Sequence, residues 1–325
     1  MGLTDEQFSA WLSAQSNRVE QRLRSACHTP DNFVEEAAVY LIDQGGKRFR
    51  PALVLAVAGL GLEADRVDQD AMIDAAVVVE LTHVASLYHD DVMDEAELRR
   101  GAPAAHQRWG NSVAILVGDF LLAQASQIGA PLGEAFMVYQ AQTLARLVQG
   151  QIAETRGPDN GVDPIEHHLH VISGKTASLI GAAARFGAMY AGLSADQIET
   201  LTTFGTSLGM AFQLADDLLD IGGGELGKRP GTDLREGVPT LTTLLIKRAK
   251  RPEDARLLEL LAGPVADADL TEALGLLADH PALEQAREQV RQWAEAARGC
   301  LLGLPEGPAQ RALQQLCDSA ADRIA

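Results

Sequence analysis

No proline interrupts residues 52–102 or residues 165–229. A proline inside a helix removes a backbone hydrogen bond and costs about 3 kcal/mol, so both stretches are free to carry long unbroken helices. Apolar residues recur along them at spacings of three and four. The alternation of a strand is missing, and aromatic residues make up only 5% of the chain. This pattern predicts an all-α chain, with long helices burying their apolar faces against one another as a bundle.

Helices are expected near 4–26, 31–44, 50–61, 66–95, 110–128, 133–156, 163–192, 194–221 and 238–250, with several more from 253 onward. The clearest loops are GGKRFRP at 45–51, RRGAPAAH at 99–106, RGPDNGVDP at 156–164 and GGGELGKRPGTDLREGVP at 222–239. A length of 325 residues would suggest two domains. No linker rich in Pro, Gly and Ser divides the chain, however, so residues 1–325 are read as one domain.

Charge excludes one class of partner. Asp and Glu number 45 against 27 Lys and Arg, a formal net charge of −18, whereas nucleic-acid binding needs a basic face. Three scattered cysteines, Cys27, Cys300 and Cys317, form neither a disulfide framework nor a zinc cluster and suit a reducing cytoplasm. The amino terminus lacks a basic and an apolar segment, and Glu6 stands where myristoylation requires Ser or Thr. There is no continuous apolar run of about 18 residues, so no membrane-spanning segment is expected.

Two helices are predicted to end in related acidic motifs, HDDVMD at 89–94 and ADDLLD at 215–220. At about 100° per residue, Asp90, Asp91 and Asp94 fall at about 0°, 100° and 40° round the helix, and Asp216, Asp217 and Asp220 repeat the arrangement. Such carboxylates repel each other and oppose the helix dipole, so cations should compensate them. Oxygen ligands without neighbouring Cys or His favour Mg²⁺, shared between carboxylates and the phosphates of a substrate. A single motif could be a solvated acidic surface; two copies of one spacing, each closing an apolar helix, favour a diphosphate clamp. Acids alone would repel a diphosphate, and Lys47, Arg48, Arg50, Arg99, Arg100, Lys175, Lys228 and Arg229 supply basic groups, several in glycine-containing loops.

In order, GGKRFRP, LTHVASLYHDDVMDEAELRRG, GDFLLAQA, Gly150–Gln151, GKTASL, FQLADDLLD and GKRPGTDLREG resemble the motifs of the trans-isoprenyl diphosphate synthase (polyprenyl synthetase) family, over nearly the whole chain and with the long-chain branch most similar. The resemblance implies the isoprenoid synthase fold, a single domain of long helices around a central apolar cavity. It implies a homodimeric prenyltransferase that joins isopentenyl diphosphate to an allylic diphosphate, as for a quinone side chain. Mg²⁺, on the order of three ions, would be held with the allylic diphosphate. Asp90, Asp94 and Asp216 would be its principal ligands, with Asp91, Asp217 and Asp220 in support. Arg99, Lys175 and Lys228 would hold the allylic diphosphate; Lys47, Arg50, His83 and Arg100 would hold isopentenyl diphosphate. Thr176 and Gln213 would sit beside the developing cation. Two spacings agree with this: His83 lies seven residues before Asp90, and Gln213 three before Asp216.

One position departs from the family pattern. Where GKPTLP is frequent the chain has GVPTLT, with Val238 in place of the lysine. Ala85 and Ser86, just before Asp90, are small where short-chain members often carry an aromatic. A product of about C30 or longer is therefore implied, growing down an apolar tunnel with its floor at Phe136 or another bulky residue. A farnesyl or geranylgeranyl diphosphate synthase is the alternative. A terpene cyclase is disfavoured by the second ADDLLD, and a non-catalytic regulatory subunit by the retention of both acidic motifs. GGGELGK at 222–228 lacks the Ser or Thr of a P-loop and follows a helix. His167, His168 and His170 are expected at an exposed helix start without a metal, and Trp109 and Trp293 as packing residues.

Overall fold

The computed structural model describes residues 3–64, 66–222 and 230–323. Its helices are α1 (Asp5–Ala26), α2 (Asn32–Asp43), α3 (Phe49–Ala58), α4 (Gln69–Met93), α5 (Ala105–Trp109), α6 (Asn111–Gly129), α7 (Glu134–Arg156) and α8 (Pro164–Ile172). They continue as α9 (Ser178–Tyr190), α10 (Ala195–Gly222), α11 (Thr232–Glu236), α12 (Leu241–Ala249), α13 (Ala255–Leu260), α14 (Asp267–Ala278), α15 (Pro281–Cys300) and α16 (Pro308–Asp322). Among the described residues the strands are the two-residue pair β1 (Leu98–Arg99) and β2 (Ala102–Pro103), antiparallel across a turn at Arg100–Gly101. The all-α expectation holds. The helix expected over 163–192 is interrupted by a π-helical turn, Ser173–Ala177, between α8 and α9.

The chain forms two compact units, each assembled from three stretches of sequence. The first comprises residues 1–144, 179–202 and 303–313. At its core lies α4, which buries Met72, Ile73, residues 75–79, Leu81, Val84, Ala85 and Tyr88. A helix apolar on nearly every side is stable only when surrounded, and α1, α3 and α6 pack on it. Its start is fixed by Asp68, whose side chain accepts from the Ala71 amide at 3.1 Å, a cap worth about 1 kcal/mol. Gly118 lets α6 come close to the end of α4: a Cβ there would lie 2.3 Å from the His89 ring. The His89 Nε2 lies 3.1 Å from the Ile115 carbonyl and 3.5 Å from Asp119. By length and composition α4 and the stretch from α6 to Leu132 could each cross a membrane; the apolar window of α4 is 72% buried within the protein, that of the α6 stretch 39%.

The second unit comprises residues 145–178, 203–302 and 314–325. Here α12 packs against α8 and α15. Helix α15 buries Leu283, Ala286, Val290, Ala294 and Ala297, spaced three and four apart, and turns its charged residues outward. The segment around Val238 serves mainly to start α12. Gly237 is left-handed, and Thr240 caps the helix in a capping box with Thr243. Val238 itself is exposed, its amide donating to the Asp233 carbonyl at 2.8 Å.

Candidate functional site

The first aspartate motif closes α4 in the first unit. Asp94 caps the helix, its amide donating to the Asp90 carbonyl at 2.8 Å. Asp90 is half-buried and Asp94 exposed, whereas Asp91 has no exposure at all. The three carboxylates therefore do different work. Arg99, on β1, donates from Nε to the Asp91 Oδ1 at 2.7 Å, and its Nη2 touches the same oxygen. Oδ2 of Asp91 is buried without a hydrogen bond. Asp91 is thus the internal counter-charge of Arg99, and Asp90 and Asp94 are the pair with access to solvent.

A basic cluster stands beside this motif, organised by a residue that the sequence reading passed over. Glu80, ten residues before Asp90 on α4, is 2% exposed. Arg48 Nη1 lies 3.2 Å from it, and Arg48 also pairs with Glu20 at 2.6 Å and donates to the Ile42 carbonyl at 2.7 Å. Burial pushes the Glu80 carboxyl up, and Arg50, Arg48 and Arg100 oppose that shift by their charge. Burial lowers the Arg50 guanidinium, and Glu80 resists; its Nε is buried without a hydrogen bond. Arg100 donates to the carbonyls of Leu41 and Gly45. Its approach explains Gly46, where a Cβ would lie 2.8 Å from the Arg100 Nη2.

Both Arg48 (φ 46°) and Arg100 (φ 53°) are left-handed without being glycine, a strain of order 1–3 kcal/mol each that concentrates at functional sites. Lys47, just before Arg48, is exposed. His83, one turn after Glu80, is held well below its usual pKa, first by burial and then by the charges of Arg50, Arg100, Arg99 and Arg48. It is therefore neutral at pH 7 and able to offer an N–H to an anion without adding a charge.

The second motif ends α10 in the second unit, and its three carboxylates also diverge. Asp216 is more open than Asp217, with its side chain 39% against 13% exposed; it pairs with Arg323 at 2.9 Å, a residue just after α16 that sequence reasoning did not single out. The Arg323 guanidinium carbon sits 4.8 Å over the Phe212 ring. Asp217 accepts from Gln213 Nε2 at 3.0 Å. Asp220 anchors the following segment, accepting from the Thr232 and Asp233 amides at 3.1 and 2.9 Å.

Lys175 and Thr176 come from the π-helical turn. Thr176 donates to Gln213 Oε1 at 2.9 Å, and Lys175 pairs with Glu154 at 2.5 Å. The turn rests directly on α7, because a Cβ on Gly150 would meet the Lys175 amide nitrogen at 2.6 Å and one on Gly174 the Gly150 Cα at 3.1 Å. Such π-insertions often mark functional positions.

In the first unit the charges of Arg50, Arg99 and Arg100 act on His83, and Arg99 is paired with Asp91; in the second, hydrogen bonds join Thr176, Gln213 and Asp217. Lys228 and the GGGELGK segment beyond Gly222 lie outside the described residues. The exposed helix start expected for the histidines is corrected for His168. Its side chain is 12% exposed and lies against Asp217, because α8 turns that face toward α10, while His170 is the exposed one.

Among the described residues, no three His, Cys, Asp or Glu side chains converge as a closed metal cage. Taken unit by unit, Asp90 and Asp94 in the first and Asp216 in the second nevertheless offer hard oxygens of the kind that suit Mg²⁺, which takes phosphate oxygens and water as its further ligands.

The chain matches the Polyprenyl synthetase family over residues 31–277. It is 46% identical over 324 residues to a nonaprenyl diphosphate synthase of Mycobacterium tuberculosis, covering 99% of this chain and 96% of that one. Among solved structures it is similar to a geranylgeranyl pyrophosphate synthase from Corynebacterium glutamicum complexed with calcium and isoprenyl diphosphate. There the TM-score is 0.87 at 39% identity, over 98% of this chain and 97% of that one. A decaprenyl diphosphate synthase from Rhodobacter capsulatus superposes with a TM-score of 0.88 at 32% identity, over 99% of this chain and all of the other.

Proposed function

This chain belongs to the polyprenyl synthetase family, and on that premise we propose that it is a prenyltransferase condensing isopentenyl diphosphate with an allylic diphosphate to give a long all-trans polyprenyl diphosphate. The observation that carries the reading is the division of labour at the end of α4. Asp91 is buried and holds Arg99, whereas Asp90 is half-buried and Asp94 exposed. A surface ornament would not sort its charges in this way.

Asp90, Asp94 and Asp216 would hold Mg²⁺, which when bound supplies charge stabilisation to the leaving diphosphate. Arg99 and Lys175 are preset to meet the allylic diphosphate, with Lys228 as the expected third contact. Each described cation is held by a carboxylate, Asp91 or Glu154, that fixes its position beforehand. Lys47, Arg50, Arg100 and neutral His83 suit isopentenyl diphosphate. As the allylic carbon–oxygen bond breaks, the Thr176 hydroxyl and Gln213 amide oxygens face the positive carbon. The isopentenyl double bond then attacks it, and a proton leaves, by family analogy to the departed diphosphate. No described side chain is required as a general base.

Small Ala85 and Ser86 support a product of about C30 or longer, since they lie only ~6–8 Å along α4 from Asp90 and offer no early stop. We further read the chain as a single catalytic domain of a cytoplasmic homodimer. The exposed α6 face, with Ile115 at 43% and Leu116 at 64% exposure, is the patch that a second copy would cover. A geranylgeranyl-length product is the second reading, favoured by the likeness to the Corynebacterium glutamicum enzyme. The test is incubation with Mg²⁺, labelled isopentenyl diphosphate and a series of allylic primers, followed by sizing of the dephosphorylated products. The long-chain reading expects material of about C30 or longer; exclusive C15 or C20 product selects the alternative, and no product with any primer removes the enzyme reading.

A further inference from the structure

We propose that His168 is a positioning residue for the Thr176–Gln213 pair, acting through Asp217, and that Asp217 serves this relay rather than a metal. The inference rests on the prenyltransferase reading above. Four side chains from α8, the π-helical turn and α10 form one line. Thr176 Oγ1 donates to Gln213 Oε1 at 2.9 Å, Gln213 Nε2 donates to Asp217 Oδ1 at 3.0 Å, and His168 Nε2 stands 3.5 Å from Asp217 Oδ2.

Direction along this line is set by chemistry. The Asp217 Oδ1 accepts from Gln213 Nε2, which holds the amide nitrogen toward Asp217 and turns the amide oxygen toward Thr176. With its proton given to that oxygen, Thr176 presents its lone pairs to whatever electron-poor carbon comes near. A reversed Gln213 would instead point N–H bonds at Thr176 and lose this order. Everything thus depends on the placing of Asp217, and His168 borders the carboxylate oxygen that Gln213 leaves open.

Burial separates Asp217 from its neighbour. The Asp217 side chain is 13% exposed and that of His168 12%, whereas Asp216 is 39% exposed. His168 Nε2 is itself buried without a hydrogen bond, and 3.5 Å is slightly beyond hydrogen-bond length. A closure of a few tenths of an ångström would give the His168 nitrogen its partner. His167 instead approaches the Ala153 carbonyl at 3.1 Å, so among the three histidines the relay uses His168.

The experiment compares His168→Ala, His168→Phe and His168→Gln with the wild type. It measures kcat, KM for both substrates, the Mg²⁺ midpoint, and calorimetric binding of a non-cleavable thiolo analogue of farnesyl diphosphate. His168→Ala and His168→Phe should lower kcat about 10- to 100-fold, the scale of a slightly misplaced catalytic group. KM, the Mg²⁺ midpoint and analogue affinity should stay within about twofold, because the relay acts on the cation after cleavage. His168→Gln, which restores an N–H at a similar reach, should recover most of the rate. Wild-type kcat in His168→Ala, full rescue by His168→Phe, or a raised Mg²⁺ midpoint in Asp217→Asn overturns the proposal. Absence of product from the wild type would instead strike the preceding reading.

Discussion

Arg99 Nε lies 2.7 Å from Oδ1 of a carboxylate, that of Asp91, with no exposure to solvent. A buried charge keeps its place only while its partner remains. Arg99→Met, which preserves bulk, should therefore destabilise the protein by about 3–5 kcal/mol, since it leaves the buried Asp91 carboxyl without the guanidinium hydrogen bonds it now accepts. Adding Asp91→Asn should recover most of that loss. Urea melts of the single and double variants check it, and an unaltered midpoint in Arg99→Met would show that the pair does not hold the end of α4.

The open aspartates should behave otherwise. Asp90→Ala and Asp216→Ala are expected to lower turnover by on the order of 10³-fold or more, as for loss of the groups that stabilise a developing anion. Helical circular dichroism should be unchanged, because both side chains stand at helix ends with partial exposure. Near wild-type rates in both variants would refute the clamp.

His83 ties stability to pH. Its folded pKa lies well below 6.5, from burial and then from Arg50, Arg100, Arg99 and Arg48, so the unfolded chain takes a proton that the folded chain refuses. Below about pH 6.5 the unfolded state binds more protons, and stability must fall as pH falls, by up to about 1.4 kcal/mol per unit. Above that pH both states are neutral and the contribution is flat. His83→Gln removes this acid limb. Thermal melts of the two proteins between pH 5 and 8 should therefore diverge only on the acid side, and parallel curves throughout would contradict a depressed His83.

How far the sequence foretold this arrangement depends on the kind of signal. The long helices were legible because freedom from proline and a three-and-four spacing are local properties, and the two aspartate motifs announced themselves by repetition. The separate roles of Asp90 and Asp91 were not, because burial of one and exposure of the other is decided by the turn that brings Arg99 back over α4. Glu80 reads in sequence as an ordinary helix glutamate; its task appears only when Arg48, Arg50 and Arg100 converge on it from two loops. The π-helical turn at Ser173–Ala177 was invisible for a similar reason. Gly174 was a faint signal, but the contact that uses it is with Gly150, on another helix.

That glycine contact yields a prediction of its own. Gly150→Ala would set a methyl group 2.6 Å from the Lys175 amide nitrogen, a backbone atom that cannot swing aside. Overpacking of this kind costs about 1–3 kcal/mol. The larger effect should be on rate: displacement of Lys175 and Thr176 by even an ångström would lower kcat about 100-fold. Gly133→Ala makes a suitable control for surface effects, having nothing within 4 Å but a positive φ of 101°. It should lose some stability and keep its kcat; equal kcat in both variants would mean that the turn tolerates movement.

Product length gives the last test, and the structure decides which substitution makes it clean. Ala85 has no exposure, and Phe there would crowd the core of α4, whereas Ser86 is half-buried with its hydroxyl on the His83 carbonyl at 2.8 Å. Ser86→Phe should therefore shorten the product with less damage to folding than Ala85→Phe. Deeper in the same unit, Phe136 is fully buried and tilted against Phe186 at a centroid distance of 4.1 Å, with Tyr190 beyond at 6.3 Å. Gln140, one turn along α7, donates to Thr82 on α4 at 2.7 Å, which puts this part of α7 beside a level about 12 Å along α4 from Asp90. If the aromatic group is the floor, Phe136→Ala should lengthen the product while costing about 3–5 kcal/mol in stability. Chromatography of the dephosphorylated products reads both changes. Unshifted length in Ser86→Phe would remove the growing chain from this face of α4.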